Sequence, residues 1–148
     1  MRLLLDTHII LWAVSGDVHL EPRVAALLTD TRNELWMSAV SAWELAMLAE
    51  RGRIDVRPDV DRWIAAAVAG LSLREAPLTS AIALESRRLA LPTQDPADRF
   101  IAATARAHEC AVITADAALR RIAGVRVVFC RRPKPRPYRH GDISYCFS

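Results

Sequence analysis

"RLLLDTHIILW", residues Arg2 to Trp12, is the stretch on which the fold turns. Leu3, Leu4 and Leu5 form a short unbroken apolar run. Such a run reads as a strand buried on both faces. Asp6 breaks it, and Ile9, Ile10, Leu11 and Trp12 then resume the apolar pattern in what reads as a helix. A carboxylate in such company is expensive to bury unless it is hydrogen-bonded, paired or bound to a cation.

The same alternation continues along the chain. Strands are expected at 2–5, 35–38, 71–74, 111–114 and 125–129. Helices are expected at 7–14 (closed by Ser15-Gly16), 22–30, 39–51 (ended by Gly52), 60–69, 80–91 (stopped by Pro92), 97–108 and 117–122. Strands separated by helices indicate parallel β-α units with helices on both faces of the sheet. Folds of this kind bind ligands outside the carboxyl ends of their strands. The residues just after each strand are therefore the ones to inspect.

A chain of 148 residues with a hydrophobic fraction of 52% suits one domain with a sizeable core. No apolar run approaches the ~18 residues of a membrane span. Asp6 and His8 interrupt the first apolar segment, so no signal peptide is expected and the cytoplasm is the expected location. Cys110, Cys130 and Cys146 lack metal-ligand or disulfide spacing, and the first two border apolar runs as small hydrophobes.

The net charge of +3 is unevenly placed. Residues 131–148 hold Arg131, Arg132, Lys134, Arg136 and Arg139 against Asp142 alone, leaving 15 basic and 16 acidic residues in 1–130. This Pro/Arg-rich tail reads as a poorly ordered basic extension, either a nucleic-acid or partner arm or a solvated tail without special role. The expected organisation is a domain over 1–130 followed by the tail.

Four acids stand where the topology directs attention. Asp6 follows the first strand and Asp116 follows "AVIT". Asp98 lies in the first turn of the helix opened by "DPAD", and Glu44 lies within the helix after "LWMS". Asp6, Asp95 and Asp116 each have a local role available as helix N-caps. In "DPAD", Asp95 suits the N-cap, Pro96 the first helical position and Asp98 the acid of a capping box. Glu44 sits beside the apolar stripe, in the row Val40, Glu44, Leu48, and needs either an arginine partner or a cation. In a parallel sheet Asp6 and Asp116 leave at one edge, and the helix starts bring Asp98 and Glu44 near it. Converging carboxylates repel each other unless a divalent cation neutralises them. Oxygen-only ligands favour Mg²⁺ or Mn²⁺.

Other chemistries are pruned. The sequence has no G-x-x-x-x-G-K-[ST] and no G-x-S-x-G. Its single lysine is Lys134, in the tail, whereas an aspartyl-phosphate chemistry wants one in the body. The histidines lack metal-ligand spacing, and only His8 stands near the acids.

"LLLDTHIILW" (3–12), "SAVSAWELAMLAERGRI" (38–54), "DPADRFIAATA" (95–105) and "VITAD" (112–116), in this order and spacing, resemble PIN-domain ribonucleases, most of all the VapC-type toxins of bacterial toxin–antitoxin pairs. The resemblance spans roughly 1–130. It implies a three-layer α/β/α domain with a central parallel sheet and an acidic pocket for Mg²⁺ or Mn²⁺. It also implies endoribonuclease activity on RNA such as tRNA, rRNA or mRNA, dimerisation, and inhibition by a cognate antitoxin. The family acids fall on Asp6, Glu44, Asp98 and Asp116. Thr114 matches the hydroxyl residue beside the last acid, Asp95 and Arg99 match a "DPxDR" pattern, and Thr7 follows the first acid. The tail lies beyond the resemblance. The alternatives are a non-catalytic PIN-like module binding RNA or a partner, and a nuclease acting on DNA. The four tryptophans, Trp12, Trp36, Trp43 and Trp63, are expected in the core rather than on partner surfaces.

Overall fold

The structure, a computed structural model, describes residues 1–17, 19–131 and the backbone of 144–146. Five strands form one sheet in the order β4-β2-β1-β5-β6: β1 Arg2–Leu5, β2 Glu34–Ser38, β4 Arg74–Ala76, β5 Ala111–Thr114 and β6 Val127–Phe129. All four pairings are parallel, as the alternation of strands and helices requires. Leu5 is in register with Met37 on one side and Ile113 on the other, so the carboxyl ends of the three central strands lie level.

Alternate residues of a strand face opposite sides of a sheet. Leu3 and Leu5, with Met37 and Ile113, therefore pack on one face, against Ile9 and Ile10 of α1 (Thr7–Ser15), Val24 of α2 (Pro22–Thr29), Leu45 of α3 (Ala39–Glu50) and Trp63 of α4 (Val60–Gly70). Leu4 and Val112 pack on the other face, against Ile82 of α5 (Ser80–Arg88) and Ile101, Ala102 and Ala105 of α6 (Pro96–Ala107). This is the three-layer arrangement. Burying both faces explains why β1 and β5 read as unbroken apolar runs rather than alternating ones.

Several boundaries differ from the sequence reading. The third expected strand, 71–74, begins late, as β4. Leu71 and Ser72 (φ 52°) close α4 instead, and the Leu73 N–H returns to the Val68 carbonyl at 2.9 Å. The fifth helix stops at Arg88 rather than running to residue 91, for a reason that lies in Arg99. The helix expected at 117–122 is only a 3₁₀ turn, Ala117–Leu119, and the last strand begins at Val127, after an Ile122–Val125 bridge.

A strand not anticipated, β3 (Asp55–Arg57), pairs in parallel with β7 (Ser144–Cys146). The expected tail thus contributes one strand, and the rest of that expectation lies outside the described residues.

Trp12 and Trp63 are buried and Trp36 is half-buried. Trp43 is 57% exposed and departs from the expectation. It stands two residues from both Ser41 and Leu45, which are buried, and two residues turn the helix by ~200°, to the opposite side. Cys110 and Cys130 are buried free thiols, and burial pushes Cys110 up to about 11. Among the described residues, no helix is long and apolar enough to cross a membrane.

Candidate active site

Asp6 ends β1 and caps α1. Its N–H donates to the Ile113 carbonyl at 3.0 Å, tying the start of α1 to the end of β5. Its Oδ1 accepts from the Thr7 N–H at 2.7 Å, and its Oδ2 accepts from the Thr114 hydroxyl at 2.6 Å. Thr114 Oγ1 in turn accepts the Asp116 N–H at 3.0 Å. One buried hydroxyl therefore fixes Asp6 and Asp116 relative to each other across two neighbouring strands. Asp116 Oδ1 caps the 3₁₀ turn by accepting from the Ala118 N–H at 2.8 Å.

The third acid arrives on α6. Asp95 is the N-cap, its Oδ1 accepting from the Ala97 N–H at 2.8 Å and the Asp98 N–H at 3.4 Å. Thr93 Oγ1 accepts the Asp95 N–H at 3.0 Å and donates to Asp98 Oδ2 at 3.2 Å. Arg99 is buried beneath this turn. Its guanidinium donates to the carbonyls of Ser86 (2.9 Å), Leu89 (2.7 Å), Thr93 (3.0 Å) and Arg87 (3.4 Å). These carbonyls belong to the last turn of α5 and the loop after it, which is why that helix ends early. In "DPADR", then, Asp95 caps, Asp98 presents its carboxyl to the site, and Arg99 builds the loop that carries Thr93. Thr93 was absent from the sequence reading. Its signal was available: a hydroxyl two residues before an N-cap Asp favours a local side-chain-to-backbone turn.

The acids act on one another. Burial, then the charges of Asp116, Asp95 and Asp6, push the Asp98 carboxyl up to about 7, against a small opposing hydrogen bond from Thr93. Burial also raises Asp6, with Asp116 adding to it, while Thr114, His8 and Thr7 pull the other way. Burial raises Glu44 too, assisted by Asp6 and Asp95 and opposed by the Thr7 hydroxyl and His8. The Thr7 hydroxyl is itself buried without a closed hydrogen bond. Asp6, Asp98 and Asp116 thus share one field at the carboxyl edge of the sheet, and Glu44 joins it through Asp6 and Asp95. His8 lies close enough to act on both Asp6 and Glu44.

Among the described residues, none of the four acids is in an ion pair with an arginine, so the alternative partner for Glu44 is not what the structure provides. Nor, among the described residues, are three or more acidic, histidine or cysteine side chains placed together so as to hold a metal ion. The carboxylates act on one another through their charges. The group is rich in oxygen donors, poor in compensating charge, and anchored at its base by Thr114 and Thr93.

The family model for the PIN domain matches residues 3–125. The chain is 34% identical over 120 residues to Ribonuclease VapC22 of Mycobacterium tuberculosis, an alignment covering 79% of this chain and 88% of that protein. Solved structures share the fold. A VapBC2 complex from Rickettsia felis bound to a DNA fragment from its promoter superposes with a TM-score of 0.61 at 17% identity, covering 87% of this chain and 98% of that one. A DNA-bound VapBC from Salmonella typhimurium gives 0.61 at 18%, covering 88% and 99%. FitAcB from Neisseria gonorrhoeae gives 0.52 at 22%, covering 84% and 95%. With its parallel sheet, its strand-end acids and a family match spanning most of its length, this chain belongs to the PIN domain family.

Proposed function

We propose that this PIN-domain chain is a divalent-metal-dependent endoribonuclease, the toxin of a type II toxin–antitoxin pair. One observation carries the reading: four carboxylates share a field at the sheet's carboxyl edge and, among the described residues, none is in an ion pair with an arginine. Such a group is unfavourable on its own and favourable around a hard cation. Mg²⁺ is commonly held by one or two carboxylates with waters completing its shell, so it does not need three protein ligands already gathered. Asp6, Asp98 and Asp116 would hold Mg²⁺ or Mn²⁺ directly or through water.

When bound, such an ion makes a coordinated water more acidic and stabilises charge developing at a phosphodiester. Glu44 would serve as a further ligand or as the acceptor that orients a water. Thr114 and Thr93 keep the acids aimed, and Thr7 stands beside Glu44. The named relative is a ribonuclease and the fold neighbours are VapBC assemblies. By extension, RNA is the substrate, a cognate antitoxin and a second copy of this chain are partners, and the cytoplasm is the site of action.

Asp6→Asn and Asp116→Asn each lower Mg²⁺- or Mn²⁺-dependent RNA cleavage by at least about 100-fold, with the far-UV circular dichroism unchanged. Cleavage that survives both substitutions in purified protein overturns the assignment. Parallel single-stranded DNA and RNA substrates separate the two nuclease readings. Calorimetry showing no Mg²⁺ or Mn²⁺ uptake would favour a non-catalytic module.

A further inference from the structure

The opposite charge gathers one strand away. A cleft of about 380 Å³ runs along β6, the edge strand next to β5, and is lined by Arg23, Arg120, Arg126, Arg131 and the Phe129 ring. Arg23 is already engaged, donating to Glu21 and to the Phe129 carbonyl. Glu21 also accepts the main-chain N–H of Arg131. Arg120 and Arg126 are exposed, and among the described residues neither is in an ion pair, though the Arg126 guanidinium donates to Met1 Sδ at 3.3 Å. The Arg120 guanidinium lies over the Phe129 ring, 4.5 Å from its centroid.

The carboxyl end of β6 borders the strand that carries Thr114. Phe129 is in register with Thr114, and the Cys130 N–H donates to the Thr114 carbonyl at 2.7 Å. Thr114 is the residue that holds Asp6. The Phe129 main chain, at one end of the cleft, is therefore about one strand spacing, ~4.8 Å, from that of Thr114. From Arg126 to Arg131 an extended main chain spans roughly 17 Å at ~3.3 Å per residue.

We propose that the β6 cleft is a phosphate-tracking subsite that holds the substrate RNA strand as it leads into the carboxylate cluster, with Arg120 and Arg126 on backbone phosphates and the Arg120–Phe129 pair offering a face for a base. The inference rests on the ribonuclease reading and adds where the substrate lies. Three features favour an RNA strand over an acidic protein segment. Phe129, at one end of the cleft, is in register with Thr114, which holds Asp6. The cleft's cations are spaced along an extended path. A stacked arginine–phenyl pair suits a base, because aromatic and guanidinium planes both stack on unpaired bases.

The test is Arg120→Ala/Arg126→Ala in the full chain, with circular dichroism to show that it folds. Both side chains are exposed, and Arg120→Gln/Arg126→Gln is the reserve pair. With a fluorescein-labelled single-stranded RNA, KM for cleavage rises about tenfold while kcat stays within about twofold, since the arginines hold phosphates without touching the reacting atoms. The slope of log K against log salt, measured by anisotropy without divalent ion, shrinks by about 0.7 per arginine removed. An unchanged KM and salt slope overturns the proposal. So does an unchanged RNA affinity combined with lost binding of a poly-glutamate peptide, which would make the cleft a protein-docking surface. If the unsubstituted chain cleaves no RNA, the ribonuclease reading fails by itself, while anisotropy still reports whether the cleft holds RNA.

Discussion

Thr114 Oγ1 has one proton, and it goes to Asp6 Oδ2; its lone pair takes the Asp116 N–H. Both contacts are made at a position with no solvent exposure, so water cannot stand in for either. Thr114→Val keeps the shape and removes both. Leaving buried polar groups unpaired costs about 1–3 kcal/mol, and Asp6 and Asp116 lose their common anchor. The expected result is a kcat lower by about tenfold with KM little changed, together with a reduced midpoint in urea. Thr114→Ser, which keeps the hydroxyl, should restore most of both. An unaltered kcat in the valine variant would show that the hydroxyl is only structural. The sequence placed Asp6, Asp98 and Asp116 beside strand ends and a helix start because these are local features, and Glu44 within a helix by its apolar period. It could not show that Thr93 reaches Asp98, since that contact depends on how the loop after α5 is folded.

That loop is an element-scale matter, and Arg99 decides it. A single guanidinium donates to four carbonyls around the end of α5, and Arg99 is only 6% exposed. Arginine's rigid fork suits such a cluster of acceptors, whereas a lysine ammonium does not. Arg99→Ala is expected to destabilise the protein by about 2–4 kcal/mol, and Arg99→Lys by somewhat less. Both are read as urea midpoints. A loss within ~0.5 kcal/mol, usual for exposed surface positions, would show that the loop holds itself. The same residue explains why the helix expected to run on to Pro92 stops at Arg88: a tertiary donor competes for carbonyls that local pattern assigns to the helix. The late start of β4 has a local cause instead, the closing turn at Leu71 and Ser72. The pairing of β3 with β7 joins segments almost ninety positions apart, which no short-range pattern announces. Apolar periodicity reveals elements that bury themselves on the sheet; it is blind to ends fixed by distant side chains.

At the scale of the whole molecule, the sheet gathers acids from α1, α3, α6 and the turn after β5, and their mutual repulsion is a charge on folding itself. Asp98 has its carboxyl pushed up to about 7, and Asp6 and Glu44 move the same way. In the unfolded chain Asp98 returns to about 4. Between these values the folded state binds more protons, so stability falls as pH rises from about 4 to about 7. Asp30 runs opposite: its hydrogen bonds with Arg32 hold it down at about 2, so its contribution is present above about 4 and lost as pH falls toward 2. Metal-free protein should therefore be most stable on the mildly acidic side, its Tm dropping by on the order of 5 °C between pH 5 and 7.5. A divalent ion that binds only the folded chain stabilises it by mass action, and it competes with protons for the same oxygens. Added Mg²⁺ or Mn²⁺ should thus raise Tm strongly at pH 7.5 and weakly at pH 5. Scanning calorimetry with chelator and with excess ion, at both pH values, reads the four cases directly. Equal metal-induced shifts at both pH values would place the ion away from these carboxylates. The Asp98→Asn variant should flatten the metal-free profile, because it removes the group whose protonation the fold favours most clearly.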